Sequence, residues 1–300
     1  MIYTVTLNPS IDYVVHMDSL INGITNRTTG EEYYFGGKGI NVSNVLAELD
    51  LDSTALGFVA GFTGEALEKG VCSPHIRTDF IHLKEGLTRI NVKIKAGEET
   101  EINGQGPHID DEALAALMEK IDRIQSGDTI IIAGNVPNTM PDDIYEQILS
   151  RLDGKDVRIV VDATKQLLVN ALKFRPFLIK PNRQELTELF GVEVKSAEDT
   201  ERYARKLQEM GARNVLVSLG GEGAMLVDEN GEKHQAGTLP GKVLNTVGSG
   251  DSMVAGFVAG YEKTGDYGYA LKLGSACGNA TAFLQGLATR ELIDELLTKF

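Results

Sequence analysis

Leu244-Asn245-Thr246-Val247-Gly248-Ser249-Gly250-Asp251-Ser252-Met253 places two glycines and an acid where an apolar helix begins. Gly248 and Gly250 permit a turn at positive φ, so successive N–H groups point into one concavity, and a helix starting near Ser249 adds the positive end of its dipole. Anionic oxygens fit such a place. Asp251, in the first turn, lies within reach of a hydroxyl approaching a terminal phosphate, and phosphoryl transfer needs such an acceptor beside preorganised N–H donors. The same spelling also suits a plain turn with Ser249 or Asp251 as N-cap.

Outward from this turn the chain alternates strand and helix. Tyr3–Leu7, Thr54–Val59, Thr129–Ala133, Val157–Val161, Phe177–Ile179 and Asn214–Ser218 are short apolar runs that read as buried strands, and Gly39–Leu49 and Asp110–Ile124 read as helices between them. Ala224–Asp228 and Glu232–Gln235 flank Asn230-Gly231, a hairpin signal. After Gly250 the pattern is almost wholly helical, with Tyr269, Leu273, Cys277 and Ala280 on one face. This order predicts an α/β fold: an open, mostly parallel sheet covered by helices on both faces, with ligands at the carboxyl ends of the strands.

Three stretches break the rhythm. Ile11–Met17, Glu31–Phe35 and Thr88–Ile94 are short strand-like runs, two of them alternating apolar with polar residues. They predict a separate small sheet, from about residues 10–36 and 87–104, that closes over a ligand as a lid and packs on a second subunit, since a small one-faced sheet is poorly stable alone. The rest of residues 1–300 reads as one domain.

The formal net charge of −14 argues against a nucleic-acid surface, so any phosphate contacts must be local. Cys72 and Cys277 stand far apart without a C-x-x-C partner, which suggests neither a disulfide framework nor a structural zinc and suits a reducing cytoplasm. No stretch reaches membrane-spanning length, and no basic, apolar leader opens the sequence.

Other groups carry chemistry. Gly36-Gly37-Lys38-Gly39-Ile40-Asn41 opens a helix without Walker spacing; it fits a backbone-lined anion or sugar site with Lys38 as a point charge and Asn41 as a hydroxyl partner, or simply close packing. Lys180-Pro181-Asn182-Arg183-Gln184-Glu185 starts another helix, where Asn182 and Glu185 share one side of the first turn. A carboxylate there suits a water of hydrated Mg²⁺, and ordinary capping is the alternative. Ser218-Leu219-Gly220-Gly221-Glu222-Gly223 ends a strand with amides that suit a nucleotide phosphate or merely a hairpin turn. Asp12 falls on the polar face of a lid strand and suits sugar hydroxyls, while Arg89 and Arg27 suit a substrate phosphate or plain solvation. The five histidines form no catalytic pattern, and no G-x-G-x-x-G follows the first strand as a nicotinamide-dependent dehydrogenase would require.

Asn8-Pro9-Ser10-Ile11-Asp12, Gly36-Gly37-Lys38-Gly39-Ile40-Asn41-Val42, Thr88-Arg89-Ile90-Asn91-Val92-Lys93, Lys180-Pro181-Asn182 and Thr246-Val247-Gly248-Ser249-Gly250-Asp251, in this order, closely resemble the phosphofructokinase B branch of the ribokinase-like sugar kinases. The resemblance runs through nearly the whole chain. It implies a ribokinase-like three-layer α/β/α fold with a β-sheet lid, a homodimer through that lid, and ATP-dependent phosphorylation of D-fructose 1-phosphate to fructose 1,6-bisphosphate. In the roles it implies, Asp251 is the base, Gly248, Ser249 and Gly250 form the anion hole, and Asn182 and Glu185 mark the Mg²⁺ region. Substrate contacts fall to Asp12, Gly37, Lys38, Asn41 and Arg89, and nucleotide contacts to Lys180, Ser218, Gly220, Gly221 and Gly223, with room for a monovalent cation. Tagatose-6-phosphate kinase is the alternative within the family, and a sugar-phosphate- or nucleotide-binding regulator without turnover is the alternative outside it. The chain departs from the family pattern at Ala133-Gly134-Asn135, where S-G-S is usual, and at Ser249, where alanine is usual.

Overall fold

The computed structural model describes residues 1–134, 136, 137 and 139–300. In chain order its strands are β1 (Ile2–Thr6), β2 (Ser10–His16), β3 (Gly30–Gly36), β4 (Ser53–Ala60), β5 (Ile76–Thr78), β6 (Ile81–Leu83), β7 (Arg89–Ala96), β8 (Glu98–Ile102), β9 (Thr129–Ala133), β10 (Arg158–Asp162), β11 (Leu178–Ile179), β12 (Asn214–Ser218), β13 (Ala224–Val227) and β14 (Lys233–Ala236). The helices are α1 (Lys38–Glu48), α2 (Gly61–Val71), α3 (Asp111–Asp122), α4 (Ile144–Ser150), α5 (Lys165–Leu172), α6 (Arg183–Phe190), α7 (Ala197–Glu209), α8 (Ser249–Thr264), α9 (Tyr267–Ala282) and α10 (Arg290–Leu297).

The central sheet runs β14-β13-β12-β11-β10-β9-β1-β4-β5, with β6 also on β4. It is parallel from β5 to β12, and the Asn230-Gly231 hairpin adds β13 and β14 antiparallel at one edge. Alternation along β9 divides the core: Ile130 and Ile132 meet α3, α4, α5 and α7 on one face, while Ile131 meets α1, α8 and α9 on the other. Both faces are therefore apolar, as a parallel sheet requires. The expected strands are all present, most with ends moved by a residue, because ladder hydrogen bonds rather than apolarity set where a strand stops.

The three rhythm-breaking stretches do form a second sheet, in the order β3-β2-β7-β8. Its outer strand β8 was not expected. Glu98-Glu99-Thr100-Glu101-Ile102 is exposed throughout and has no apolar face to betray it; it pairs antiparallel to β7 across a turn at Gly97. The register aligns Tyr33, Tyr13, Val92 and Ile102 across the sheet on one face, and Tyr34, Asp12 and Asn91 on the other. The polar face points at the carboxyl ends of the central strands, where Asp12, Asn91 and Lys93 line the same cleft as Asp162 and Lys180.

Candidate active site

Four of the ten described helices, α3, α6, α7 and α9, begin with a side-chain cap. Asp110 accepts from Ala113 N at 2.8 Å, Ser196 and Asp199 form a capping box, and Asp266 caps α9. Helices α1 and α8 do not: they start behind Gly37 and Gly248 with no side-chain cap. Gly248 sits in the left-handed region at φ 82°, and behind it Ser249 N donates back into the loop, to the Thr246 carbonyl at 3.2 Å. Among the described residues the next two N–H groups, of Gly250 and Asp251, have no protein acceptor, and they sit at the positive end of a helix of 16 residues. The starts of α1 and α8 meet where Asn41 Nδ2 donates to Asp251 Oδ2 at 2.8 Å.

Asp251 is buried beside that start. Burial, reinforced by the charge of Asp162, pushes its carboxyl up to about 6, against the Asn41 hydrogen bond and the ammonium groups of Lys38 and Lys180. Such a group is ionised at neutral pH yet is a far better proton acceptor than an ordinary aspartate. Asp162 lies opposite, at the end of β10, with Lys38 Nζ 3.3 Å from Oδ2 and Lys180 Nζ 3.5 Å from Oδ1. A Cβ at Gly250 would stand 2.8 Å from Lys180 Nζ, so a side chain there would displace that ammonium.

The lid supplies the far wall. Asp12 Oδ1 accepts from Ser10 Oγ and Asn91 Nδ2, each at 2.8 Å, and Lys93 Nζ lies 3.4 Å from Oδ2. Arg89 Nε donates to the Asn8 carbonyl at 3.1 Å. Among the described residues no carboxylate pairs with Arg89 at ion-pair distance, and burial lowers its pKa against the pull of Asp12. Together these groups bound a cleft of about 560 Å³ that also contains Thr6, Ser218 and Glu185. A larger cavity of about 620 Å³ opens beside it between the lid and α1, sharing Asp12, Asn41, Lys93 and Val247; the convergent charges lie in the smaller one.

The structure thus brings together Asp12, Gly37, Lys38, Asn41, Arg89, Lys180, Asn182, Glu185, Ser218, Gly248, Gly250 and Asp251. Arg27 is exposed in the link between β2 and β3 and does not line the cleft. Ser249 does not line it either; its Oγ is buried without a partner among the described residues. Gly220, Gly221 and Gly223 lie past its rim in the turn after β12, and Gly223 has a packing reason of its own, since a Cβ there would meet the Ala236 carbonyl at 2.0 Å. Asn182 and Glu185 make the capping box: Asn182 Oδ1 accepts from Glu185 N and Glu185 Oε2 from Asn182 N, both at 2.8 Å. Capping and cleft lining coexist there. Asn135 lies outside the described residues.

Asp162, Lys93, Asn91 and Ser10 join the site without having been singled out. The signals were present: Asp162 is an acid closing an apolar run in a parallel sheet, and Asn91 and Lys93 follow Arg89 at the two-residue period of one strand face.

The comparisons with known proteins agree with this geometry. The model of the family described as "pfkB family carbohydrate kinase" matches residues 5–292. The chain is 46% identical to the 1-phosphofructokinase of Bacillus subtilis, covering 99% of this chain and 97% of that protein. It is 37% identical to the D-tagatose-1-phosphate kinase of Bacillus licheniformis, over 98% and 97%. The crystal structure of phosphofructokinase-2 from Escherichia coli in complex with fructose-6-phosphate superposes with a TM-score of 0.91 at 28% identity, covering 99% of this chain and 98% of that one. With a fold, a cleft and a full-length likeness in agreement, the chain belongs to the pfkB family of carbohydrate kinases.

Proposed function

We propose that this kinase transfers the γ-phosphoryl group of ATP to D-fructose 1-phosphate, giving fructose 1,6-bisphosphate, with Asp251 as general base. The observation that carries the reading is a buried carboxylate at the start of α8, where a proton acceptor lies beside the N–H groups of Gly250 and Asp251, which have no acceptor among the described residues. In this mechanism the sugar lies between the lid and α1, its ring hydroxyls read by Asp12 and Asn41. Its existing phosphate meets Arg89, a half-buried cation without a carboxylate partner among the described residues. Asp251 removes the proton of the free hydroxymethyl group as that oxygen attacks, and the amides of Gly248–Gly250 with Lys180 and Lys38 stabilise charge on the transferring group. Ser218 and the turn at Gly220–Gly223 flank the nucleotide.

Glu185 retains Oε1 beyond its capping bond, and among the described residues no group of three or more His, Cys, Asp or Glu side chains is arranged to hold a metal. That donor set fits Mg²⁺ bound largely through water, held by Glu185 and Asn182 and neutralising nucleotide phosphate charge.

The lid's outer face exposes Tyr33 at 64%, Ile102 at 58% and Tyr13 at 38% in one cross-strand row, which supports a homodimer through the lid. No helix among the described residues is long and apolar enough to cross a membrane, and the unpaired Cys72 and Cys277 suit a cytoplasmic enzyme.

Tagatose 1-phosphate, the C4 epimer, is the second candidate, favoured by the 37% identical relative. Competition between fructose 1-phosphate, tagatose 1-phosphate and fructose 6-phosphate at subsaturating concentration tests the choice. Fructose 1-phosphate is expected to lead by at least roughly tenfold in kcat/KM, the scale of one mismatched polar contact; a lead for the epimer moves the substrate, and no ADP release with any sugar overturns the reading.

A further inference from the structure

Asp162 carries no role in the mechanism above, yet it is the most deeply placed charge in the cleft. Its side chain is 4% exposed, and each oxygen holds one ammonium: Oδ2 faces Lys38 from the start of α1, and Oδ1 faces Lys180 from the segment after β11. Burial opposes its ionisation, but Lys180 and Lys38 outweigh that and hold the carboxyl below its ordinary range. A carboxylate is costly here. Left alone, two ammonium groups beside bound phosphates would swing onto the most negative ground-state oxygens, since lysine stems are flexible and their charges strongly hydrated.

We propose that Asp162 is a positioning residue for phosphoryl transfer: its two oxygens tether Lys38 and Lys180 on either side of the transfer point, beside Gly250 and Asp251. The inference rests on the kinase reading of this cleft. A tether of this kind withholds binding energy from the ground state. The lysines are held where charge develops as the phosphoryl group moves, and the nearby negative charge weakens their hold on the intact nucleotide. Removing the tether should therefore separate rate from affinity, whereas removing a merely structural group would degrade both.

The experiment uses the full chain with Asp162→Asn, measuring steady-state kinetics, thermal melting, and calorimetric binding of the non-hydrolysable analogue AMP-PNP with Mg²⁺. The expected result is a kcat lower by about 30-fold or more, with AMP-PNP affinity unchanged or tighter. A kcat within about threefold of wild type in a folded variant overturns the proposal. So does a loss of kcat matched by an equal loss of AMP-PNP affinity. Should Asp162→Asn fail to fold, Asp162→Glu keeps the charge and shifts the oxygens by one methylene; a fall in kcat of about fivefold or more with unchanged AMP-PNP affinity is expected, and wild-type kcat overturns the tether. Wild-type protein inactive on every sugar phosphate would instead defeat the substrate reading, and Asp162 would then be judged on AMP-PNP binding alone, where weakening in Asp162→Asn overturns it.

Discussion

Asp251→Asn should make the protein more stable while nearly abolishing its turnover. The amide keeps the side chain's shape and an oxygen for Asn41 Nδ2, but carries no charge into a site that is 5% exposed and faces Asp162. Moving the carboxyl from its ordinary 3.8 to about 6 costs the folded, ionised form roughly 3 kcal/mol, at about 1.4 kcal/mol per tenfold change in acidity. The sign follows from a folded-state pKa raised above the unfolded one: the wild type is at its most stable, as far as this group is concerned, below 3.8, and loses that contribution as pH rises through about 6. The variant has no such loss. With 300 residues and an unfolding entropy of about 2 cal/mol/K each, roughly 3 kcal/mol corresponds to a Tm higher by about 5 °C at about pH 8, shrinking to nothing near pH 4. Calorimetry across that range reads the difference, and ADP release should fall by about 10²–10⁴-fold. A variant no more stable than wild type at about pH 8, or a gain undiminished near pH 4, refutes the buried-charge argument; turnover close to wild type refutes the base.

Arg89→Ala should raise KM for fructose 1-phosphate by about tenfold or more with little effect on KM for ATP, because it removes a charge partner of the acceptor alone; equal changes in both would take Arg89 out of the acceptor site. Tyr33→Glu places a carboxylate on the exposed cross-strand row of the lid and should shift the protein from dimer to monomer in sedimentation velocity at micromolar concentration. A wild type that is itself monomeric removes the interface.

Sequence reading was strongest where one physical demand dominates. The runs Thr129–Ala133 and Asn214–Ser218 match their strands residue for residue, since a strand buried on both faces must be continuously apolar. Gly248-Ser249-Gly250-Asp251 likewise announces its turn, because few other residues take φ 82°. What stayed hidden depends on pairing between distant segments. Strand β8 exists because β7 offers an edge, and its own residues, all exposed, carry no period. Asp162 looks like any strand-end acid until Lys38, 124 residues earlier in the chain, arrives at its oxygen. Arg27 shows the reverse: a cation in a suggestive place in the sequence that the folded chain leaves exposed, away from the cleft.

The hydrogen bond from Asn41 to Asp251 closes a loop of 210 residues. The wall from Asp12 to Lys93 comes from the first third of the chain, while Asp251 and its helix start come from the last fifth, docked on α1 against the same face of the sheet. Contacts so distant in sequence form late, because the entropy of closing the loop must be met before they repay it. During synthesis, the growing polypeptide therefore presents Asp12, Lys38 and Arg89, the groups proposed to bind the sugar phosphate, long before it can hold Asp251, the proposed base. With Asp251 as the proposed base, a chain still on the ribosome, or one that has unravelled at its C-terminal helices, lacks the proton acceptor and is expected to leave nucleotide unspent.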